Sequence, residues 1–259
     1  NTNKKLINNA IETCVNSLFK VDIYLVDNSL NNKFSYFKND KRVIYLKTKN
    51  RGFGAGHNFA IKKLNLLKKY DYHLVLNPDT SFEKHVINDL FEYMKKNNNV
   101  GVIMPRILNT DKSLQFARRL LPSFLNVILK RFFLKLSRFT NYEMHHIEPK
   151  TPVEIIGLCG CFLFFRTKTL KSVGLFDESY FMYFEDYDLC RRIALKYKTI
   201  YYPNCEVIHK GNYEHKRNIK LFFIGVISAI KYFYKWGLID KKRKELNSIT
   251  LEKVLQSSK

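Results

Sequence analysis

The chain has 259 residues with 45 Lys and Arg against 23 Asp and Glu, a formal charge of +22, and a field of that sign favours nucleic acid, anionic lipid or a phosphorylated substrate as partner. Hydrophobic content of 46% with ten glycines and six prolines excludes a disordered or collagenous chain and suits one globular unit plus an appendage. Five cysteines, an odd number with no CxxC pair, argue against a disulfide framework or a zinc site and fit a reducing compartment.

Residues 4–19 place Leu6, Ile7, Ala10, Ile11, Val15 and Leu18 at helical spacing. VDIYLVDNS, 21–29, is a β-rich apolar run ending in Asp27, Asn28 and Ser29. Asp27 there either accepts a hydrogen bond from a base or sugar edge or caps the turn. RVIYLKT, 42–48, repeats the strand pattern, and NRGFGAGHN, 50–58, follows. Its glycines Gly52, Gly54 and Gly56 let backbone approach a ligand, and the helix expected over 54–69 offers its N-terminus to an anion. The loop lacks the GK[ST] ending of a P-loop and the spacing of GxGxxG. YHLVLNPDT, 72–80, is a third strand whose Asn77 and Asp79 lie two apart, hard ligands for Mg²⁺ or Mn²⁺ already held by phosphates. The alternative for Asp79 is a cap. A helix near 84–97 and a strand over 100–107 complete a grammar that predicts a mainly parallel sheet with helices on both faces and ligands beyond the carboxyl ends of its strands.

In the second half, FLNVILKRFFLKLSRF, 124–139, and KLFFIGVISAIKYFYKWG, 220–237, alternate basic with large apolar residues. Each is either a core-packing helix or one that turns Lys130, Arg131, Lys135, Lys231 and Lys235 toward lipid phosphates. GLCGCFLFFR, 157–166, is a Gly-rich turn entering an apolar strand, with Cys159 and Cys161 read as packing residues. Asp177, Glu178, Glu185, Asp186 and Asp188 then crowd among Phe176, Tyr180, Phe181, Tyr183, Phe184 and Tyr187. Carboxylates among aromatics are poorly hydrated and gain proton affinity. The plainer alternative pairs Glu185 and Asp188 with Arg191 and Arg192 at a helix start.

Taken in order, VDNS, NRGFGAGHNFAI, LNPDT, GCFLFFR, GLFDESYFMYFEDYDLCRR and IYYPNCEVIHKG resemble family 2 glycosyltransferases of the GT-A fold, nearest in look to rhamnosyltransferase-like enzymes of bacterial polysaccharide assembly. The resemblance runs from about residue 20 to 212. It implies a Rossmann-like α/β domain over 1–212, with a donor half to about 110 and an acceptor half from about 150, followed by a basic helical extension over 213–259. It also implies inverting transfer of a sugar from a nucleotide-diphosphate donor, dTDP-rhamnose first, to a saccharide or lipid-linked saccharide, with Mg²⁺ or Mn²⁺ as cofactor. By the same resemblance Asp27 contacts the nucleobase, and Asn50, Arg51 and Gly52 lie against the nucleoside and diphosphate. NPD stands where the family has DxD, so Asp79 becomes the principal metal ligand and Asn77 replaces the first acid at the donor. Glu185 and Asp186 fall on the ED pair, with Asp186 as catalytic base. His209 matches a position that completes the metal site in some relatives, and Gly157 and Gly160 line the acceptor site. The stretch around 114–133 resembles the variable segment between the halves, suited to holding a lipid-linked acceptor near a bilayer. Relatives open with an apolar strand ending in a TYN-like turn, whereas this sequence starts at the following helix. Such a strand is expected ahead of it.

Two other classes compete. A nucleotidyltransferase acting on sugar phosphates carries a Gly-rich, basic loop after its first strand, and none is visible. A basic nucleic-acid-binding protein would present aromatics on a stacking surface, but here they fall within apolar helices and strands. Glycosidases place two carboxylates across a sugar, which neighbours such as Glu185 and Asp186 rarely do. No nucleic-acid partner is expected, an anionic membrane surface remains a candidate partner, and the expected location is cytoplasmic or peripheral on the inner face of the plasma membrane.

Overall fold

The computed structural model describes residues 3–132, 141–211 and 218–259. Helix α1 (Lys4–Val15) opens where the Asn3 side chain accepts from the Leu6 N–H at 3.0 Å. It stops short of residue 19 because the Ser17 N–H turns back onto the Cys14 carbonyl. Strands β1 (Ile23–Asp27) and β2 (Val43–Lys47) form a parallel pair of their own. One face of the pair covers Ile7, Ile11 and Phe37, and on the other Leu46 of β2 packs with Ala60, Ile61 and Leu66. The single helix expected over 54–69 divides into α2 (Phe53–Lys63) and α3 (Leu66–Lys69), because Asn65 adopts a left-handed φ of 53° between them.

Next come β3 (Tyr72–Leu76), the short β4 (Thr80–Phe82), α4 (Val86–Lys96) and β5 (Val100–Leu108). The chain continues through β6 (Arg118–Arg119), α5 (Phe124–Phe132), β7 (Val153–Glu154), β8 (Gly157–Leu158) and β9 (Phe162–Arg166). It ends with α6 (Thr167–Val173), α7 (Glu185–Ala194), β10 (Lys198–His209), α8 (Ile219–Trp236) and α9 (Lys241–Ser258). The rest of the 124–139 segment, Lys135 included, lies outside the described residues, as do the side chains of Lys130 and Arg131.

The main sheet has the order β3-β9-β5-β10-β4, with β7 added to β10. The β5–β10 ladder is parallel, and β9 runs antiparallel between β3 and β5, so β3, β5 and β10 all point one way. Strand β9 is an almost uninterrupted apolar run, Phe162 to Phe165, with every one of those side chains buried, as a strand covered on both faces requires. Their common carboxyl edge collects the turn after Leu76, the segment after Leu108 and His209. That edge carries the chemistry.

The two C-terminal helices are built into the same core. Tyr232, Phe233 and Val254 belong to the apolar cluster that also contains Leu163, Leu189 and Ile193. Asn247 of α9 both accepts from the Leu121 N–H and donates to the Leu121 carbonyl. Among the described residues no single helix is long and apolar enough to cross a membrane.

Candidate active site

Asp27 is 3% exposed at the end of β1. Its Oδ1 accepts from the Ser29 N–H at 2.8 Å, its Oδ2 accepts from the Tyr45 hydroxyl at 2.6 Å, and Lys47 Nζ stands 3.4 Å away. Burial would raise its pKa, but the bonds from Tyr45 and Ser29 and the charge of Lys47 outweigh burial and leave it lowered. The capping role considered for Asp27 is therefore present, and the cap fixes an ionised carboxylate at the strand end.

The glycine loop lies against the acidic segment. A Cβ on Gly52 would stand 2.2 Å from the Phe181 carbonyl oxygen, and φ there is +111°; the Phe53 N–H donates to that same oxygen at 2.9 Å. Asn50 Oδ1 accepts from the Gly52 N–H at 3.2 Å, and Arg51, largely exposed, reaches Glu178 at 3.7 Å. Gly52→Ala combines a backbone clash with a strained φ, and a loss of about 2–4 kcal/mol is expected, visible as a lowered melting temperature. An unchanged melting temperature would show that the loop can leave the acidic segment freely.

On the carboxyl edge of the main sheet, Asp79 Oδ1 lies 3.4 Å from His209 Nε2, and Asn77 Nδ2 lies 3.3 Å from the same nitrogen. The opposite ring nitrogen, Nδ1, is 2.7 Å from Gln115 Oε1 and must donate to it. Gln115 is itself held by its N–H bond to the Ile107 carbonyl near the end of β5. With Nδ1 carrying the proton, Nε2 is an acceptor that meets the Asn77 amide N–H on one side and the Asp79 carboxylate on the other, and a cation between Nε2 and Asp79 would suit both. Burial raises the pKa of Asp79, and only a ring protonated at Nε2 as well would donate to it and bring the charge that turns the net shift downward, so a proton and a metal ion compete for the same place between the two groups. Among the described residues no group of three His, Cys, Asp or Glu side chains comes together. One carboxylate and one imidazole fit a divalent ion whose remaining positions are filled by phosphate oxygens and water.

Glu185 and Asp186 open α7, after Tyr183 and Phe184 at φ of 70° and 68°. Two bulky residues in the left-handed region are uncommon, and such strain persists only where packing over-determines it. Here Phe184 is held among Tyr187, Tyr232 and Phe233. Asp186 Oδ2 accepts from the Gly160 N–H at 3.1 Å and Oδ1 from the Tyr187 N–H at 2.8 Å. Burial pushes its pKa up, against the opposing pull of these N–H groups and of Arg119. Glu185 is buried, its Oε2 has no partner, and burial together with the charge of Asp186 raises its pKa further. The two therefore differ: Asp186 is held by hydrogen bonds that favour its ionised form, whereas Glu185 is not.

Of the alternative pairing of Glu185 and Asp188 with Arg191 and Arg192, the Asp188 half is present and the Glu185 half is absent. Asp188, fully buried, takes Arg192 at 2.9 Å, Lys235 at 2.8 Å and the Trp236 indole N–H at 2.9 Å. Arg191 instead pairs with Asp240 at 2.5 Å and stacks on Trp236. Asp177 meets Lys235 and the Ser179 N–H, which hold its pKa at about 2 despite burial that would raise it, and Glu178 meets Lys62 and Asn58. These three acids fasten the segment in place.

Gly160 lies between Phe53 and Asp186, where an added Cβ would come within 3.2 Å of the ring. Gly157 pairs with Arg119 across the β6–β8 ladder, and its missing side chain admits the Arg119 carbonyl. Arg119 Nη1 reaches the Tyr187 hydroxyl at 3.2 Å, and that hydroxyl is 2.5 Å from the hydroxyl of Tyr142. Motif reading missed Arg119, Gln115 and Tyr142 because they come from the irregular stretch between the two halves, where nothing in the spacing marks them. The 159–161 turn joins the two sides: the Gly160 N–H holds Asp186, and the Cys161 carbonyl accepts from the Asn77 N–H at 2.9 Å.

The family model described as Glycosyl transferase family 2 matches residues 2–174, more than half of the chain. The N-acetylglucosaminyl-diphospho-decaprenol L-rhamnosyltransferase of Mycobacterium tuberculosis (strain CDC 1551 / Oshkosh) is 30% identical over 173 residues, 62% of this chain and 56% of that protein. The chain thus spans about half the length of this relative. Rhamnosyltransferase WbbL of Escherichia coli (strain K12) is 28% identical over 198 residues, 73% of this chain and 74% of that protein. Among solved structures, S. aureus TarS 1-349 in complex with UDP-GlcNAc gives a TM-score of 0.55 at 13% identity, covering 98% of this chain and 70% of that one. GalNAc-T7 with UDP, GalNAc and Mn²⁺ gives 0.51 at 13% identity, covering 73% and 37%. At such identities the structures speak for the fold alone, and that fold is the α/β GT-A architecture expected from the motifs. The chain belongs to glycosyl transferase family 2.

Proposed function

We propose that the chain is an inverting glycosyltransferase that moves a sugar, rhamnose from dTDP-rhamnose first, onto a saccharide or lipid-linked saccharide in surface-glycan assembly. The observation that carries this reading is the 159–161 turn, whose Gly160 N–H holds Asp186 and whose Cys161 carbonyl holds the Asn77 N–H, two residues before the Asp79 that faces His209. Asp186 takes the proton from the acceptor hydroxyl as that oxygen attacks the anomeric carbon; its raised proton affinity and its two N–H donors keep it both basic and ionised. Asp79 and His209, with Asn77 beside them, would hold Mg²⁺ or Mn²⁺, which when bound stabilises negative charge on a departing nucleoside diphosphate. Asp27 at the end of β1 and the Asn50–Gly52 loop face the nucleoside side, and Gly157 and Gly160 border the acceptor. The sugar is suggested by the names of both rhamnosyltransferases, and the lipid-linked class of acceptor by that of the mycobacterial one. Family membership does not favour the nucleotidyltransferase or nucleic-acid readings.

Thermal stabilisation by a panel of nucleotide sugars, with and without Mn²⁺, tests the reading, since a ligand that prefers the folded state raises its apparent stability. A response to one nucleotide sugar that grows with Mn²⁺ is expected, and silence across the panel would overturn the donor site. Gln115→Leu removes the acceptor that orients the His209 ring and is expected to weaken Mn²⁺ binding in the presence of nucleoside diphosphate by roughly 10–100-fold. Spin-resonance titration of free Mn²⁺ checks it; unchanged affinity would remove His209 from the ligand set.

A further inference from the structure

We infer that the outer face of α8, together with the α8–α9 corner and the start of α5, is a docking surface for an anionic phospholipid bilayer. Ile219, Phe223, Ile227, Ile230 and Tyr234 recur at steps of four and three residues, which places them on one side of the helix. All are exposed, Ile219 by 73%, Ile230 by 62% and Tyr234 by 92%. The opposite side of α8 is turned inward, with Ser228, Ala229, Tyr232 and Phe233 buried. Among the described residues, the exposed side thus stays uncovered. It continues into Leu238 and Ile239, the latter 89% exposed, at the corner. Phe124 and Leu125 of α5 are exposed as well, and the Phe124 ring lies 5.8 Å from that of Phe233 of α8. A continuous apolar surface of this kind on a folded chain marks an interaction site.

Charge selects the occupant. Lys220 and Lys231 flank the stripe, and Lys241, Arg243 and Lys244 open α9 directly after the corner. Among the described residues no acid stands within ion-pair distance of Lys220, Lys241, Arg243 or Lys244. Apolar residues on one side and unpaired basic residues beside them describe a helix lying in the headgroup region of an anionic leaflet. A second copy of the chain is disfavoured, because a symmetric contact would bring these basic rows near their own images.

The inner face of α8 gives docking a consequence. Ser228 Oγ donates to the Met182 carbonyl at 2.8 Å, and Lys235 holds Asp177 and Asp188. The helix that would rest on the bilayer therefore also grips the segment leading into Asp186, which sets that carboxylate at a fixed height above the surface. The height matters only under the transferase reading; the docking itself does not depend on it.

The full chain should sediment with vesicles of phosphatidylcholine and phosphatidylglycerol, much less with phosphatidylcholine alone, and less as salt rises. Ile219→Asp with Ile230→Asp, both on exposed positions, should lower the partition coefficient at least about tenfold. Lys241→Gln with Lys244→Gln should lower it roughly fivefold for each charge removed. Both double variants should keep the nucleotide-sugar thermal response of the unsubstituted chain. Equal sedimentation with neutral vesicles, none with either, insensitivity to both double variants, or a dimer that Ile230→Asp dissolves would each overturn the docking surface. Vesicle binding that persists in a chain answering to no nucleotide sugar would sink the transferase reading and leave the docking surface standing.

Discussion

Asp186→Asn is expected to lower kcat by about a thousandfold while leaving the dissociation constant of the donor within roughly threefold. The amide keeps the shape of the carboxylate but cannot take a proton from the acceptor. One of the two N–H donors, Gly160 or Tyr187, would then face an NH₂ group, so a stability loss of about 1 kcal/mol should accompany the change. Glu185→Gln provides the contrast. Its carboxyl is buried, without a partner at Oε2, and strongly shifted toward the neutral acid, so the isosteric amide should cost less than about tenfold. The pH profile follows from the same environment. The working form of Asp186 is ionised and its pKa is raised, so kcat should be lost as pH falls through an apparent pKa above the usual carboxylate range. Because Glu185 and Asp186 interact, that apparent value belongs to the pair. Equal losses in the two variants would move the base away from Asp186.

Asp188→Ala is expected to destabilise the fold by about 3 kcal/mol, because a fully buried carboxylate that receives Arg192, Lys235 and the Trp236 indole disappears and leaves those donors short of a partner. For a chain of this size the melting temperature should fall by roughly 6–12 °C. The loss should be concentrated in α8, since Asp188 is the point where the helix bearing Asp186 is fastened to the C-terminal pair. Asp188→Asn, which still accepts from one donor, should lose less. Faster amide exchange in α8 than in β5 would locate the weakness there. An unchanged melting temperature would mean that Tyr232 and Phe233 hold α8 without help from the ion pairs.

Much of this was legible because local patterns and global fold agree. The apolar runs at 21–29, 42–48, 72–80 and 100–107 became β1, β2, β3 and β5, and the polar turns after the first and third carry Asp27 and Asp79. The direction of β9 was not legible, since an apolar run buried on both faces reads alike in either direction. The break of the 54–69 helix at Asn65 was hidden as well, because asparagine inside an apolar period gives only a weak signal for a left-handed turn. Within the acidic segment, composition marked five carboxylates without distinguishing them. Only their partners separate Asp177, Glu178 and Asp188, which bind Lys and Arg, from Asp186, which binds backbone N–H groups, and Glu185, whose Oε2 binds nothing. Gln115 and Arg119 show the limit of motif reading: each acts on a residue more than sixty positions away, a relation that only the fold creates.

The assignment of Asp186 as a base rather than a nucleophile is tested most directly by the configuration of the first sugar released. With the nucleotide sugar selected by the thermal panel and water standing in for the acceptor, proton NMR can read the anomer before mutarotation scrambles it. A single displacement assisted by Asp186 predicts a sugar of configuration opposite to that of the donor. Retained configuration would contradict a single in-line displacement assisted by Asp186.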